Sequence, residues 1–225
     1  MNESEPLIYF KDVDIYQGEK RILEKVCLSL CAHQMVYLTG KVGSGKSSLL
    51  KTFYKELDLH EGTARVLDAD LLTLREKDVP HLRRRLGIIF QDFQLLTDRS
   101  VRENLEFVLK ATGWTVKEDI ERRISIVLKL VGMEDKALVR PNKLSGGEQQ
   151  RIVIARSILN SPSIVLADEP TGNLDPETSR QIAKILYDLS RVGCLVVMST
   201  HNPQIVEEFP GRVLRLQDHR IIEEK

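Results

Sequence analysis

The sequence predicts an α/β fold in which buried strands alternate with helices, with antiparallel strands at the start and an insertion of helices in the middle. Two runs in the second half, Ile164 to Ala167 and Cys194 to Met198, are apolar without polar alternation, as in strands buried on both faces. The stretch from Ser100 to about Ser161 instead has helical spacing and few β-branched runs. Strands that alternate with helices form an α/β sheet, and the helical middle is an insertion into it.

The first part of the chain predicts two antiparallel strands and then two buried ones. Apolar and polar residues alternate from Leu7 to Val13 and from Ile22 to Leu30, with Gly18 near the turn. Met35 to Thr39 is a short apolar run that predicts a buried strand, and a glycine-rich turn and a helical pattern follow it. Leu86 to Phe90 predicts another buried strand.

The rest of the chain predicts helices and a final hairpin. In the middle, the apolar residues that recur at helical spacing are Val116, Ile120, Ile124, Val127 and Val131. Between the two apolar runs of the second half, the residues on one helical face are Ile182, Ile185, Leu186 and Leu189. The segment from Arg212 to Ile222 predicts a hairpin around Asp218 and His219.

Length and composition limit the class of protein. The chain has 225 residues, which suit one domain with an insertion, and 33 basic and 33 acidic residues give a formal net charge of zero. With 42% hydrophobic residues, disordered and fibrous classes are excluded, and without a basic excess we expect no direct contact with nucleic acid. No apolar run approaches the roughly 20 residues that cross a bilayer, the start lacks the features of a secretory signal, and three cysteines show no disulfide or zinc spacing. We therefore expect a soluble, cytosolic chain.

A phosphate-binding loop lies between a buried strand and a helix. Its residues match G-x-x-x-x-G-K-[ST] and are Gly40, Lys41, Val42, Gly43, Ser44, Gly45, Lys46 and Ser47. Glycines allow successive N–H groups to converge on phosphate oxygens, and the following helix N-terminus adds partial positive charge. We expect Lys46 to reach the β- and γ-phosphates and the Ser47 hydroxyl to ligate Mg²⁺. The alternative is a chance glycine turn.

Two acidic residues end the apolar run at 164–167. Asp168 is expected at the carboxyl edge of this strand, near the magnesium ion that Ser47 holds. Glu169 points to the other side of the pleat and can polarise an attacking water as a general base. The alternative is a strand that leaves the core into a polar turn.

A third motif, Ser145-Gly146-Gly147-Glu148, opens a helix. Ser145 and Glu148 have the spacing of a capping box, which alone would describe a well-capped helix. The two glycines are not explained by capping, since each costs about 1 kcal/mol relative to alanine in a helix. They fit a site that another backbone or a phosphate approaches closely.

Together and in this order, the motifs resemble those of the ATP-binding cassette (ABC) ATPases, over essentially the whole chain. The resemblance implies a P-loop NTPase fold of the ABC type, and ATP hydrolysis with Mg²⁺. It also implies roles for single residues. Gln91 would contact Mg²⁺ and sense a membrane partner, His201 would contact the γ-phosphate, and Tyr16 would stack on adenine. Ser48 would join the ATP-binding set, and Asp175 would lie in a loop that crosses a dimer interface.

The resemblance further implies a homodimer that forms on ATP binding. In such a dimer, residues 145–148 of one chain cap the ATP that the phosphate loop of the other chain holds. It also implies one ABC ATPase domain over 1–225. Segments 1–91 and 162–225 would form the RecA-like core with the antiparallel β subdomain, and 92–161 the helical subdomain with the signature motif.

Within the family, the surroundings of Gln91 are most similar to the cell-division ATPases of the FtsE type. Asp98-Arg99 stands where the lipoprotein-releasing (LolD) and macrolide-export (MacB) ATPases usually carry an FxLLP-type sequence. The FtsE resemblance implies an integral membrane partner of the FtsX type, control of peptidoglycan hydrolases across the membrane, and a peripheral location on the cytoplasmic face of the inner membrane. Two alternatives remain: a LolD- or MacB-like transport ATPase, and a soluble ABC ATPase that acts on nucleic acid or ribosomes.

Overall fold

The structure, a computed structural model, describes residues 5–224 and confirms the α/β class. The strands are β1 (Ile8–Gln17), β2 (Lys20–Leu30), β3 (Met35–Thr39), β4 (Thr63–Val66), β5 (Ala69–Asp70), β6 (Leu86–Ile89), β7 (Ile164–Ala167), β8 (Leu195–Ser199), β9 (Arg212–Gln217) and β10 (Arg220–Glu224). The helices are α1 (Lys46–Phe53), α2 (Val79–Arg84), α3 (Val101–Ala111), α4 (Lys117–Leu130), α5 (Gly146–Ser157), α6 (Pro176–Arg191) and α7 (Pro203–Glu208).

The strands form two sheets. The first is antiparallel, with the order β2-β1-β4-β5, and Gly18 at φ 60° lies in the turn between β1 and β2, as predicted. The second has the order β10-β9-β3-β8-β7-β6. Its strands β9, β3, β8, β7 and β6 run parallel, and β10 returns antiparallel to β9. The predicted final hairpin is confirmed, and both turn residues, Asp218 and His219, have positive φ, as a two-residue turn of type I′ requires.

The helices α3, α4 and α5 follow β6 and precede β7, so the predicted helical insertion is confirmed. They pack on one another and α5 packs on β6, which buries Ile120, Ile124, Val127 and Val131 of the predicted face. The prediction was wrong for Val116, which precedes α4 and is 52% exposed. All three helices lie within 92–161, and on that basis we propose the division into a core and a helical subdomain. Within residues 5–224, no helix combines the length and hydropathy needed to cross a bilayer.

Several short elements were not predicted. The strands β4 and β5 have four and two residues, and the helices α2 and α7 have six residues each. Segments of this length are too short to show a periodic pattern of their own. The first strand also runs four residues beyond the predicted end at Val13. It carries irregularities in its pairing with β2 between Phe10 and Tyr16, which interrupt the alternation of apolar residues.

The helix α1 is held by a core that joins it to the antiparallel sheet. Phe53 at its end is fully buried, and its ring lies 5.3 Å from that of Phe10 on β1 in an edge-to-face arrangement. We expect Phe53→Ala to lower the free energy of unfolding by about 3–5 kcal/mol, since it leaves a cavity between the end of α1 and β1. Urea unfolding followed by circular dichroism measures this. The control is Phe107→Ala on α3, where the side chain is 48% exposed and a change below about 1 kcal/mol is expected.

Candidate active site at the carboxyl edge of the parallel sheet

Four neighbouring strands of the parallel sheet end side by side. In the order β3-β8-β7-β6, their last residues are Thr39, Ser199, Ala167 and Ile89. The carboxyl ends of parallel strands meet at one edge of a sheet, and ligands bind in the crevice outside that edge. The residues that directly follow these strands are therefore brought together from four separate parts of the sequence.

A cavity of about 370 Å³ at this edge brings together nine of the predicted residues. Predicted residues that line it are Val42, Gly43, Gly45, Lys46, Ser47, Ser48, Gln91, Glu169 and His201. A neighbouring cavity of about 290 Å³ is lined by Ser47, Gln91 and Asp168. Ser47 and Gln91 line both cavities, so Lys46, Glu169 and Asp168 lie around one crevice. Their roles in binding and catalysis stay predictions.

The loop between β3 and α1 has a backbone that requires glycine. Gly45 precedes α1 with φ 104°, and a Cβ atom there would lie 2.7 Å from Cγ2 of Ile22. At Gly40, with φ 139°, a Cβ atom would lie 2.5 Å from the carbonyl oxygen of Leu216. Both positions therefore exclude larger residues by conformation and by space.

The charges and donors of this loop fit a polyanion. No side chain caps α1 and its first turn has no acidic residue, so within the described chain its first N–H groups lack a side-chain cap. Lys46 is 5% exposed, and its Nζ donates to the carbonyl oxygens of Gly40 and Lys41, at 3.2 Å each. Burial lowers the pKa of Lys46, and the carboxylates of Glu169 and Asp168 oppose that shift. The buried hydroxyl of Ser44 has no hydrogen-bond partner among the described residues. Such a group fits a donor whose partner is a bound phosphate.

The residues present fit Mg²⁺ only together with phosphate oxygens. Residues 5–224 contain no cluster of three or more His, Cys, Asp or Glu side chains that could hold a metal ion. Ser47, Gln91 and Asp168 line one cavity and supply one carboxylate, one hydroxyl and one amide. This set suits Mg²⁺, which keeps several waters and takes one or two carboxylates plus substrate phosphates.

The two acids after β7 are held differently. The N–H of Asp168 continues the ladder to β6 by donating to the carbonyl oxygen of Ile89 at 2.9 Å. Glu169 has φ 45°, a left-handed conformation that costs a non-glycine residue about 1–3 kcal/mol and is typical of functional sites. Its Oε1 lies 3.0 Å from Nε2 of His201, a contact that the sequence analysis did not predict.

Ser199, the last residue of β8, was missed by the sequence reasoning. Its hydroxyl donates to Oδ1 of Asp168 and accepts from the N–H of Glu169, at 2.7 Å in both cases. The available signal was a polar residue at the end of an otherwise apolar strand run, directly before Thr200 and His201.

The start of α5 has the predicted capping box. The Ser145 hydroxyl accepts from the N–H of Glu148, and the Glu148 carboxylate accepts from the N–H of Ser145 at 2.8 Å. That backbone N–H holds the pKa of Glu148 below its usual value, and Lys136 at 3.3 Å acts in the same direction. The N-terminus of α5 is thus fixed by contacts within its own chain.

The two glycines of α5 differ in what surrounds them. At Gly147 a Cβ atom would lie 2.3 Å from Cγ2 of Thr178 on α6, so close packing within the chain explains this glycine. At Gly146 the nearest atom would be Cδ2 of Leu174 at 3.5 Å, which is ordinary contact. The described residues therefore leave room for alanine at Gly146, and packing within one chain does not explain the glycine there.

Other predicted residues lie outside the 370 Å³ cavity. Tyr16 pairs with Arg21 across β1 and β2, and its ring lies 6.4 Å from that of His60; its neighbour Gln17 lines the cavity instead. Asp175 caps α6 by accepting from the N–H of Thr178 at 3.0 Å. Their predicted roles, on adenine and across a dimer interface, stay predictions.

Comparison with known proteins gives matches over nearly the full chain. The ABC transporter family model matches residues 23–172. The cell division ATP-binding protein FtsE of Bacillus subtilis (strain 168) is 40% identical over 220 residues, which are 97% of this chain and 96% of that protein. FtsE of Escherichia coli (strain K12) is 41% identical over 213 residues, 94% of this chain and 96% of that protein.

The fold matches solved ABC cassettes. A dimeric structure of MJ0796, a bacterial ABC transporter cassette, has a TM-score of 0.85 at 33% identity and covers 97% of this chain and 98% of that one. A dimeric post-hydrolysis state of MJ0796, bound to ADP and Pi, has a TM-score of 0.84 at 32% identity with the same coverage.

The difference between the two glycines can be tested by one substitution at each. We expect Gly147→Ala to lower the free energy of unfolding by about 1–3 kcal/mol, because the added methyl overlaps Thr178. Adding Thr178→Ser, which removes the overlapping methyl, should restore most of the loss in urea unfolding. Gly146→Ala should leave stability unchanged or raise it by up to about 1 kcal/mol. A destabilised Gly146→Ala with a stable Gly147→Ala would contradict the packing described above.

Proposed function

The chain belongs to the ABC transporter family, and we propose that it is the ATP-hydrolysing subunit of a membrane-associated complex that acts in cell division. It is an ATPase of the ABC type and binds ATP. The observation that carries the assignment of the site is the single crevice that joins the glycine-rich loop, Lys46 and Ser47 to Gln91, Glu169 and His201. The cell-division role rests on full-length similarity to FtsE proteins of two distant bacteria.

The loop residues would hold the triphosphate. The backbone from Gly40 to Gly45 and the start of α1 direct N–H groups at phosphate oxygens, and Lys46 supplies a buried positive charge. Ser47, Gln91 and Asp168 are the proposed holders of Mg²⁺, which neutralises charge on the phosphates when bound. A polyanion also gives Lys46 a better acceptor than the two loop carbonyls that it contacts.

Glu169 is the proposed general base. A carboxylate beside the γ-phosphate can orient a water and accept its proton as the water attacks. His201 lies 3.0 Å from the Glu169 carboxylate, which fits a residue that both orients the base and contacts the γ-phosphate. Neither role requires a phosphoryl acceptor other than water, so the proposed reaction is ATP plus water to ADP and phosphate.

A homodimer that forms on ATP binding is proposed from the dimeric MJ0796 cassettes, whose chain this one covers almost completely. In this arrangement, residues Ser145 to Glu148 of each copy cap the nucleotide of the other. The 370 Å³ cavity supports the proposal, since none of these four residues is among those that line it in the described chain.

The proposed membrane partner is a protein of the FtsX type, and the proposed output is control of peptidoglycan hydrolases across the inner membrane. This chain would be peripheral, on the cytoplasmic face. The proposed docking groove is formed by other residues that line the same 290 Å³ cavity as the proposed Mg²⁺ holders: Tyr54, Phe90 and Gln94, with Lys51 and Asp92 supplying charge of both signs. Aromatic side chains with charged neighbours are typical of interfaces.

The catalytic assignment is tested by Glu169→Gln. We expect turnover to fall by about 100-fold or more, because the amide cannot accept the proton, while ATP binding persists. A phosphate-release assay and size exclusion with Mg·ATP measure this, and the ATP-bound variant should elute as a dimer. Glu118→Gln, an exposed position on α4, is the matched control and should behave as wild type. Wild-type turnover in Glu169→Gln would exclude Glu169 as the base.

The partner assignment is tested by affinity purification from detergent-solubilised membranes. We expect wild type to retain a protein with four spanning segments and Asp92→Lys to retain about tenfold less, because the charge in the groove is reversed. Asp188→Lys, exposed in the last turn of α6, is the control and should retain as much as wild type. Recovery of lipoprotein-transport proteins would favour a LolD-like role, and recovery of ribosomes would favour a soluble one; either would overturn the proposed partner.

A further inference from the structure

We propose that Ser199 is a positioning residue whose buried hydroxyl sets the orientation of both acids that follow β7. The inference rests on the proposed roles of Asp168 toward Mg²⁺ and of Glu169 toward water. Ser199 itself is fully buried at the end of β8 and does not line the cavity in the described chain. It would therefore act through the two acids and not by touching substrate.

The direction of its hydrogen bonds follows from the groups involved. The N–H of Glu169 can only donate, so the Ser199 oxygen accepts there, at 2.7 Å. The single hydroxyl proton is then free for Oδ1 of Asp168, also at 2.7 Å. One oxygen atom thus connects the backbone of the proposed base to the side chain of the proposed metal ligand.

The hydroxyl replaces a backbone acceptor where the sheet ladder stops. Ala167 pairs with Met198 in the parallel register of β7 and β8, and the N–H of Asp168 turns the other way, toward β6. The N–H of Glu169 therefore faces β8, where Ser199 receives it. This bond holds Glu169 in its left-handed conformation at φ 45°, in which its carboxylate contacts His201.

Ser199 is itself fixed to the strand that leads into the phosphate loop. Leu38 pairs with Ser199 in the register of β3 and β8, and the N–H of Thr200 donates to the carbonyl oxygen of Leu38 at 3.1 Å. Because β3 ends one residue later, at Thr39, the hydroxyl ties both acids to the start of the loop that would hold the phosphates. Only a short side chain with a hydroxyl can make both bonds from this buried place.

The test compares Ser199→Ala with Ser190→Ala. Ser190 on α6 is equally buried, and its hydroxyl donates to the carbonyl oxygen of Tyr187, away from the crevice. The first readout is hydrogen exchange of the Glu169 amide without nucleotide, which we expect to accelerate by about tenfold or more in Ser199→Ala. The second is the Mg²⁺ concentration that half-saturates binding of a fluorescent ATP analogue, which we expect to rise about fivefold, as one lost hydrogen bond gives.

If the Ser199 hydroxyl contributed only to the stability of the fold, Ser199→Ala and Ser190→Ala would change amide exchange and Mg²⁺ dependence alike. We expect binding of the analogue in EDTA to stay within about twofold of wild type, because the phosphate loop keeps its own contacts. Equal changes in Ser190→Ala, or wild-type exchange and Mg²⁺ dependence in Ser199→Ala, would overturn the positioning role and leave the ATPase assignment intact. Failure of the wild-type chain to bind the analogue with Mg²⁺ would instead overturn the proposed site on which this inference rests.

Discussion

The parallel pairing of β3, β8, β7 and β6 is the constraint on which the site depends. The ladders place Leu38 beside Ser199, Met198 beside Ala167, and Ala167 beside Ile89, so four chain segments end at one edge. The proposed catalytic and binding residues follow directly after these strand ends. There the backbone no longer makes the hydrogen bonds of the sheet, and the side chains can turn toward a common crevice. A change in the register of any one strand by one residue would move its acid, histidine or glutamine by about 3.3 Å along the strand direction, beyond hydrogen-bond reach of its partners.

Two half-buried arginines hold the helical insertion in place, and one of them, Arg156, joins it to this edge. Arg156 on α5 donates to the carbonyl oxygens of Phe93 and Gln94, at 3.0 and 2.6 Å, just after Gln91. Arg123 on α4 donates to the carbonyl oxygens at the end of α5, and burial lowers the pKa of both guanidinium groups without removing their charge. The segment after Gln91 therefore cannot shift without either breaking the bonds of Arg156 or moving α5. This geometry connects the proposed docking groove to the capped start of α5.

Much of the fold and most of the crevice could be predicted because they rest on local patterns. The apolar runs at β3, β7 and β8 are continuous, and the phosphate loop combines a fixed spacing with a strand before it and a helix after it. The roles of Gly147 and Ser199 could not be predicted, since they depend on atoms distant in sequence: the methyl of Thr178 on another helix, and two acids on a neighbouring strand. The sequence predicted that a backbone or a phosphate approaches Gly147 closely, whereas in the structure the Thr178 side chain of the same chain lies there.

The features that one chain leaves unexplained are consistent with a surface that a second copy covers. Val42 is an apolar residue of the phosphate loop, yet it is 90% exposed beside the cavity. Gly146 costs about 1 kcal/mol relative to alanine, and packing among the described residues does not explain it. In the proposed dimer, closure of one copy on another would bury Val42 and bring a phosphate against the backbone of Gly146. Since a Cβ atom at Gly146 would meet nothing closer than 3.5 Å within its own chain, an activity lost in Gly146→Ala with stability intact would have to come from what approaches that helix from outside.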